Sequence, residues 1–132
     1  VGKPNFLIEA GKMEFGIGHH GEPGISVEDL STAREMAEKA VDCILPDLPF
    51  MPNDEVVVLV SGLGATPVME LYIFYNEVER LLTEKGIRIH RQYVGNYFTS
   101  LKMMGVTITL TKVDAELKEC IDMDAYSVGL KQ

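Results

Sequence analysis

Residues 55–62, EVVVLVSG, run directly into GLGATPVMELYIFYNEVERLLTEKG, and no other part of the chain restricts the fold so strongly. Val56, Val57, Val58, Leu59 and Val60 are apolar without alternation, which suits a strand buried on both faces rather than one with a wet side. Such a strand belongs in the middle of its sheet. Gly62 and Gly64 then turn the chain, Thr66 is placed to cap a helix, Pro67 is tolerated in its first turn, and Gly86 stops it. Strand, glycine turn and helix make one α/β unit.

Other segments extend that unit. In KMEFGIG the apolar Met13, Phe15 and Ile17 alternate with Glu14, Gly16 and Gly18, predicting a strand near 13–18. The stretch LSTAREMAEKAVDCIL places Ala33, Met36, Ala37, Ala40, Val41 and Ile44 on one helical face, with Ser31 as cap and Pro46 as terminator. Three prolines within seven residues mark PDLPFMPND as a connection. IRIHRQYVG and VTITLTKV alternate in the manner of strands, near 87–94 and 106–113, and NYFTSLKMMG between them reads as a loop or one helical turn. DAELKECIDM supplies a last short helix. The order β, α, β, α, β, β, α predicts an α/β fold, a two-layer mixed β-sheet with helices packed mainly on one face.

With 132 residues and 46% hydrophobic content the chain suits one domain over residues 1–132. Twelve basic against 20 acidic residues leave a formal charge of -8, which repels nucleic-acid phosphate and anionic lipid. Neither nucleic acid nor membrane is an expected partner. No apolar run approaches the roughly 20 residues that span a bilayer, and the first residues lack a signal-peptide pattern, so a cytoplasmic location is expected. Cys43 and Cys120 lie in helical patterns without metal spacing and read as buried free thiols. Val1 in place of an initiator methionine suggests a longer parent.

FGIGHHGEPG, residues 15–24, sets two histidines among glycines. An imidazole there can be a metal ligand, a general base, a nucleophile, or a polar residue satisfied within its own loop. Zinc would need three or four converging ligands, and Glu22 and His90 have no motif linking them to this turn, so no metal is expected. Adjacent residues of extended backbone point oppositely, so one of His19 and His20 at most faces a given pocket. Gly16, Gly18, Gly21 and Gly24 bare the surroundings and let a small ligand or a backbone come close. The second glycine turn, SGLGAT, lies where ligands collect beyond the carboxyl ends of strands. It lacks the lysine of a P-loop, so the chain offers no ATP site of its own.

Three blocks, MEFGIGHHGEPG, VSGLGATPVMELY and VGNYFTSLKMMGVTITLTKVD, resemble in sequence and order the dihydroxyacetone-binding (K) subunit of dihydroxyacetone kinase. Together they span residues 13–114. The likeness covers the carboxyl-terminal domain of that subunit, whose amino-terminal domain carries the acid/base aspartate. It implies that the histidine before GEPG, here His20, holds dihydroxyacetone covalently as a hemiaminal, with Gly18 and Gly21 among the substrate-binding residues. A neutral imidazole attacks a carbonyl, and glycerol has none, so the bond selects ketone over polyol. His19 stands where the family pattern has an apolar residue. The resemblance further implies a homodimer, and a nucleotide-binding kinase subunit or domain as partner. That partner carries the phosphoryl donor, ADP rephosphorylated through the phosphotransferase system or exchangeable ATP, with Mg2+. Glu22, Gly62, Gly64 and Ser100 read as loop formers and pocket walls.

Three functions fit these residues. The chain can be the substrate-holding part of a dihydroxyacetone kinase, inactive alone. It can belong to a ketone-sensing paralogue that acts as coactivator of a transcriptional regulator without phosphorylating anything. In the third, the domain is structural and His20 is idle.

Overall fold

The apolar run 55–62 forms a strand with a neighbour on each side. This is seen in a computed structural model that describes residues 7–20 and 22–132. In chain order the elements are β1 (Lys12–Phe15), β2 (Ser26–Asp29), α1 (Ala33–Ile44), β3 (Glu55–Gly62), α2 (Val68–Glu84), β4 (Arg88–Gly95), β5 (Val106–Lys112) and α3 (Ala115–Asp122). The chain divides into two compact units, Val1–Thr32 and Ala33–Gln132.

In the larger unit the sheet order is β4-β3-β5. β3 runs parallel to β4, with an irregularity between Val56 and Val57, and antiparallel to β5, where Val60 faces Ile108. Val56, Val57, Val58 and Val60 are buried, as an unalternating apolar run requires. α2 packs on β3 and β4 through Leu71, Phe74, Tyr75, Val78, Leu81 and Leu82, a stripe at helical spacing. Leu82 is fully buried, and removing a side chain of that size from water contributes about 1.5–3 kcal/mol. α1 lies on α2 through Ala37, Ala40 and Val41. The small side chains allow close approach, and Arg80 reinforces it, bonding Glu77 and Glu84 of its own helix and reaching Glu38 of α1. The fold is α/β and mixed.

α3 has no buried residue. Asp114 caps it by accepting from Leu117 N at 2.9 Å, and ion pairs tether it: Lys118 to Glu55 at 2.5 Å, and Asp122 to His90 and Arg91. Lys118 holds the Glu55 carboxyl below its usual range, and Lys112 does the same for Asp54.

The smaller unit is an antiparallel hairpin, β1 against β2, with Lys12 opposite Asp29 and Phe15 opposite Ser26. The first strand therefore ends earlier than the expected 13–18, and it belongs to a sheet of its own instead of the main one. Its partner β2 has one large apolar residue, Val27, in SVED, too little periodicity to announce a strand.

Three further expectations are corrected. Cys43 and Cys120 are exposed free thiols rather than buried ones. Cys43 falls on the outward side of α1, and α3 buries nothing. Ser31 does not act as a cap, because its hydroxyl is buried without a hydrogen-bond partner. Thr66 does not cap α2 either: the N-cap is Pro67, with no side-chain bond, and the Thr66 hydroxyl instead accepts from Gly105 N and donates to Gly105 O. Among the described residues no helix is long and apolar enough to cross a membrane.

Candidate functional site

The paired histidines sit in residues 16–25, the connection between β1 and β2. Its base is tied twice, by Ile25 N donating to Phe15 O at 2.7 Å and by Gly24 N donating to the Glu14 carboxylate at 2.7 Å. Further in, Gly18 N donates to Glu22 O at 3.1 Å, which brings Gly18 and Glu22 together across the turn. The Glu22 carboxylate reaches back over that turn. Its Oε2 accepts from His20 N at 3.1 Å, and its Oε1 lies 3.6 Å from His20 Nδ1. The His20 side chain is 91% exposed, so the ring is presented outward.

Gly18 makes this arrangement possible. A Cβ on Gly18 would run into the Glu22 carboxylate and would stand 2.8 Å from both Cβ and Cδ of Glu22. Any larger residue at 18 must displace the carboxylate from the histidine. Gly18, His20 and Glu22 thus meet in one turn, whereas Gly21 lies outside the described residues. Among the described residues no group of three or more His, Cys, Asp or Glu side chains converges in a way that could hold a metal ion.

The second glycine turn, in the larger unit, is bound to the 96–105 loop. Ser61, fully buried at the end of β3, accepts from Tyr97 N at 2.9 Å and from Phe98 N at 3.0 Å. Ser100 N donates to Leu63 O, Ala65 N to Met103 O, and Leu63 N to Gly105 O. The structure thus brings Ser100 against Gly62–Ala65. Tyr97 meets Tyr93 edge-on with ring centroids 6.4 Å apart, and burial pushes the Tyr97 hydroxyl pKa up. The hub at Ser61 escapes sequence reasoning, although one signal exists: a lone hydroxyl closing an apolar strand.

The larger unit is a mixed α/β sheet with a glycine turn after its central strand, and the same chain carries a hairpin that presents an exposed imidazole. Residues 1–129 match the family model described as the Dak1 domain, and the chain belongs to that family. It is 42% identical over 122 residues to the dihydroxyacetone-binding subunit DhaK of the PTS-dependent dihydroxyacetone kinase 2 of Listeria innocua, covering 92% of this chain and 37% of the relative. It is 39% identical over 133 residues to the D-erythrulose kinase of Mycolicibacterium smegmatis, covering 98% of this chain and 23% of the relative. Among solved structures, the dihydroxyacetone kinase operon co-activator Dha-DhaQ superposes with a TM-score of 0.81 at 34% identity, over 89% of this chain and 37% of that one. The chain spans about a third of the length of its DhaK relatives.

Proposed function

We propose that this chain is the substrate-holding part of a dihydroxyacetone kinase, in which His20 binds the ketone as a hemiaminal for phosphorylation to dihydroxyacetone phosphate. The observation that carries the reading is the outward, 91% exposed imidazole of His20 beside a carboxylate, in a turn kept bare by glycine. In the reaction the ring nitrogen adds to the central carbon, the π pair of the carbonyl moves to oxygen, and that oxygen takes a proton. In this reading Gly18 and Gly21 contribute to substrate binding, as the family pattern implies. A separate nucleotide-binding subunit or domain carries ATP, or ADP recharged through the phosphotransferase system, with Mg2+. The relatives' names support a short-chain hydroxyketone as substrate, because they include dihydroxyacetone and erythrulose kinases.

The test is carbon NMR of the full-length protein with dihydroxyacetone labelled at its central carbon. A protein-bound tetrahedral carbon in place of the free carbonyl is expected. Binding that leaves the carbonyl signal unchanged sinks the covalent reading.

A second reading is favoured by one observation, the likeness to the operon co-activator Dha-DhaQ. In that case the same adduct serves a sensor. Supplying a phosphoryl-donor subunit separates the two, since only the kinase turns the bound ketone into its phosphate.

The proposal includes a homodimer. The outer side of α2 leaves Met69, Tyr72 and Ile73 exposed at 71%, 53% and 51%, an apolar patch that suits self-association. Sedimentation equilibrium of the full-length protein is expected to give twice the monomer mass, and a strict monomer at high concentration removes this part.

A further inference from the structure

Among the described residues Glu22 brings its carboxylate to His20, and it approaches one edge of the ring. Its Oε1 faces Nδ1 at 3.6 Å, while its Oε2 is fixed by the His20 backbone N–H at 3.1 Å. A distance of 3.6 Å is ion-pair reach and not yet a hydrogen bond. Both side chains are largely exposed, 91% and 61%, so a small torsional change closes it. Pairs of this kind commonly tighten only when the reaction demands it.

We propose that Glu22 is a positioning residue for His20: its carboxylate keeps the proton on Nδ1 and so leaves the lone pair on Nε2, the nitrogen that bonds the ketone. This rests on the covalent reading above and adds to it what fixes the tautomer of the ring. The two ring nitrogens are distinct, and the partner of one sets the state of the other. A neutral imidazole left to itself prefers the proton on Nε2, the tautomer that cannot attack from that atom. A carboxylate at Nδ1 reverses the preference because it can only accept a hydrogen bond.

The same placement suits the chemistry of addition. As Nε2 gives its lone pair to the carbonyl carbon, a C–N bond forms, the π bond of the C=O breaks and its electrons go to oxygen. The ring gains positive charge until the Nδ1 proton leaves, and the oxygen gains a proton, so one proton is lost and one gained. Glu22 lies next to the atom where the charge and the departing proton are found, and opposite charge there stabilises the addition. Gly18 belongs to the device, because it leaves room for the carboxylate to fold back.

The experiment uses the full-length protein with 15N-labelled histidine, read by long-range proton–nitrogen correlation at a pH where the ring is neutral, before any ketone is added. In the wild type His20 is expected to carry its proton on Nδ1. In Glu22→Ala it is expected to move to Nε2, and the adduct constant for dihydroxyacetone to fall between about 10- and 100-fold, by analogy with losing the partner that orients a metal-ligating histidine. Glu22→Gln, whose amide oxygen still accepts from Nδ1–H, is expected to keep the wild-type tautomer. Gly18→Ala, which expels the carboxylate without deleting it, is expected to behave as Glu22→Ala. A His20 tautomer unchanged in Glu22→Ala overturns the proposal, whatever happens to binding. A tautomer that responds to Glu22→Ala in a protein forming no adduct upholds the positioning role and refutes the covalent reading instead.

Discussion

His20→Ala in the full-length protein is expected to eliminate the tetrahedral carbon signal of bound dihydroxyacetone altogether, while His19→Ala retains it. Loss is complete because a covalent bond has one nucleophile, and alanine supplies none. His19 is not expected to stand in, since the residue that matches the histidine before GEPG is His20, whose Nδ1 lies 3.6 Å from the Glu22 carboxylate. The substitution is also expected to leave folding stability within about 0.5 kcal/mol, because the side chain is 91% exposed and buries no apolar surface. Circular dichroism and thermal unfolding check that half of the expectation. An adduct that survives His20→Ala shows that the ketone is held elsewhere, and this turn is then only a turn.

That expectation starts from glycines and histidines visible in the sequence, but the relation between Glu22 and His20 is not visible there. Spacing of two residues says nothing about a carboxylate that reaches back across a turn, because the reach depends on loop torsions and on Gly18 offering space. The strand β3 was legible for the opposite reason. Its unbroken run of apolar residues demands cover on both faces whatever surrounds it, and Val56, Val58 and Val60 are fully buried. The α2 stripe was legible through its helical period. Between these cases lie the caps. Ser31 and Thr66 have the right chemistry at the right place, yet Thr66 finds both its partners on Gly105, 39 residues away in sequence. A hydroxyl takes whichever partner the tertiary fold brings, so local rules name its capacity and not its use. Ser61 is the clearest instance. It reads as a polar end to a strand and serves as the acceptor on which the 97–98 backbone is hung. The hairpin strand β2 failed to show itself because four residues with a single large apolar side chain carry no period.

The joint between SGLGAT and the 96–105 loop makes Gly64→Ala a strongly destabilising substitution in the larger unit. Gly64 has φ +117, in a region that residues with a Cβ avoid, and its Cβ would stand 2.6 Å from Ser100 O and 3.3 Å from Thr99 Cβ. The near atom is a backbone carbonyl and cannot rotate away. Ser100 N is itself held by Leu63 O at 2.8 Å, and Gly64 bridges to Met103, so the loop must move as a body. Backbone strain costs roughly 1–3 kcal/mol and the overpacking a similar amount, giving about 2–6 kcal/mol together. In a chain of 132 residues that corresponds to a fall in Tm of roughly 7–20 °C. Gly129→Ala, with nothing within 4 Å of the added methyl and no positive φ, is the control and is expected to change little. Urea unfolding followed by circular dichroism measures both, and amide exchange at 97–100 reports whether the loop is the part released. If Gly64→Ala unfolds within about 0.5 kcal/mol of the wild type, the two loops are not tied as described. The carboxyl end of β3 would then lack the rigid wall that a ligand site at that end of a sheet requires.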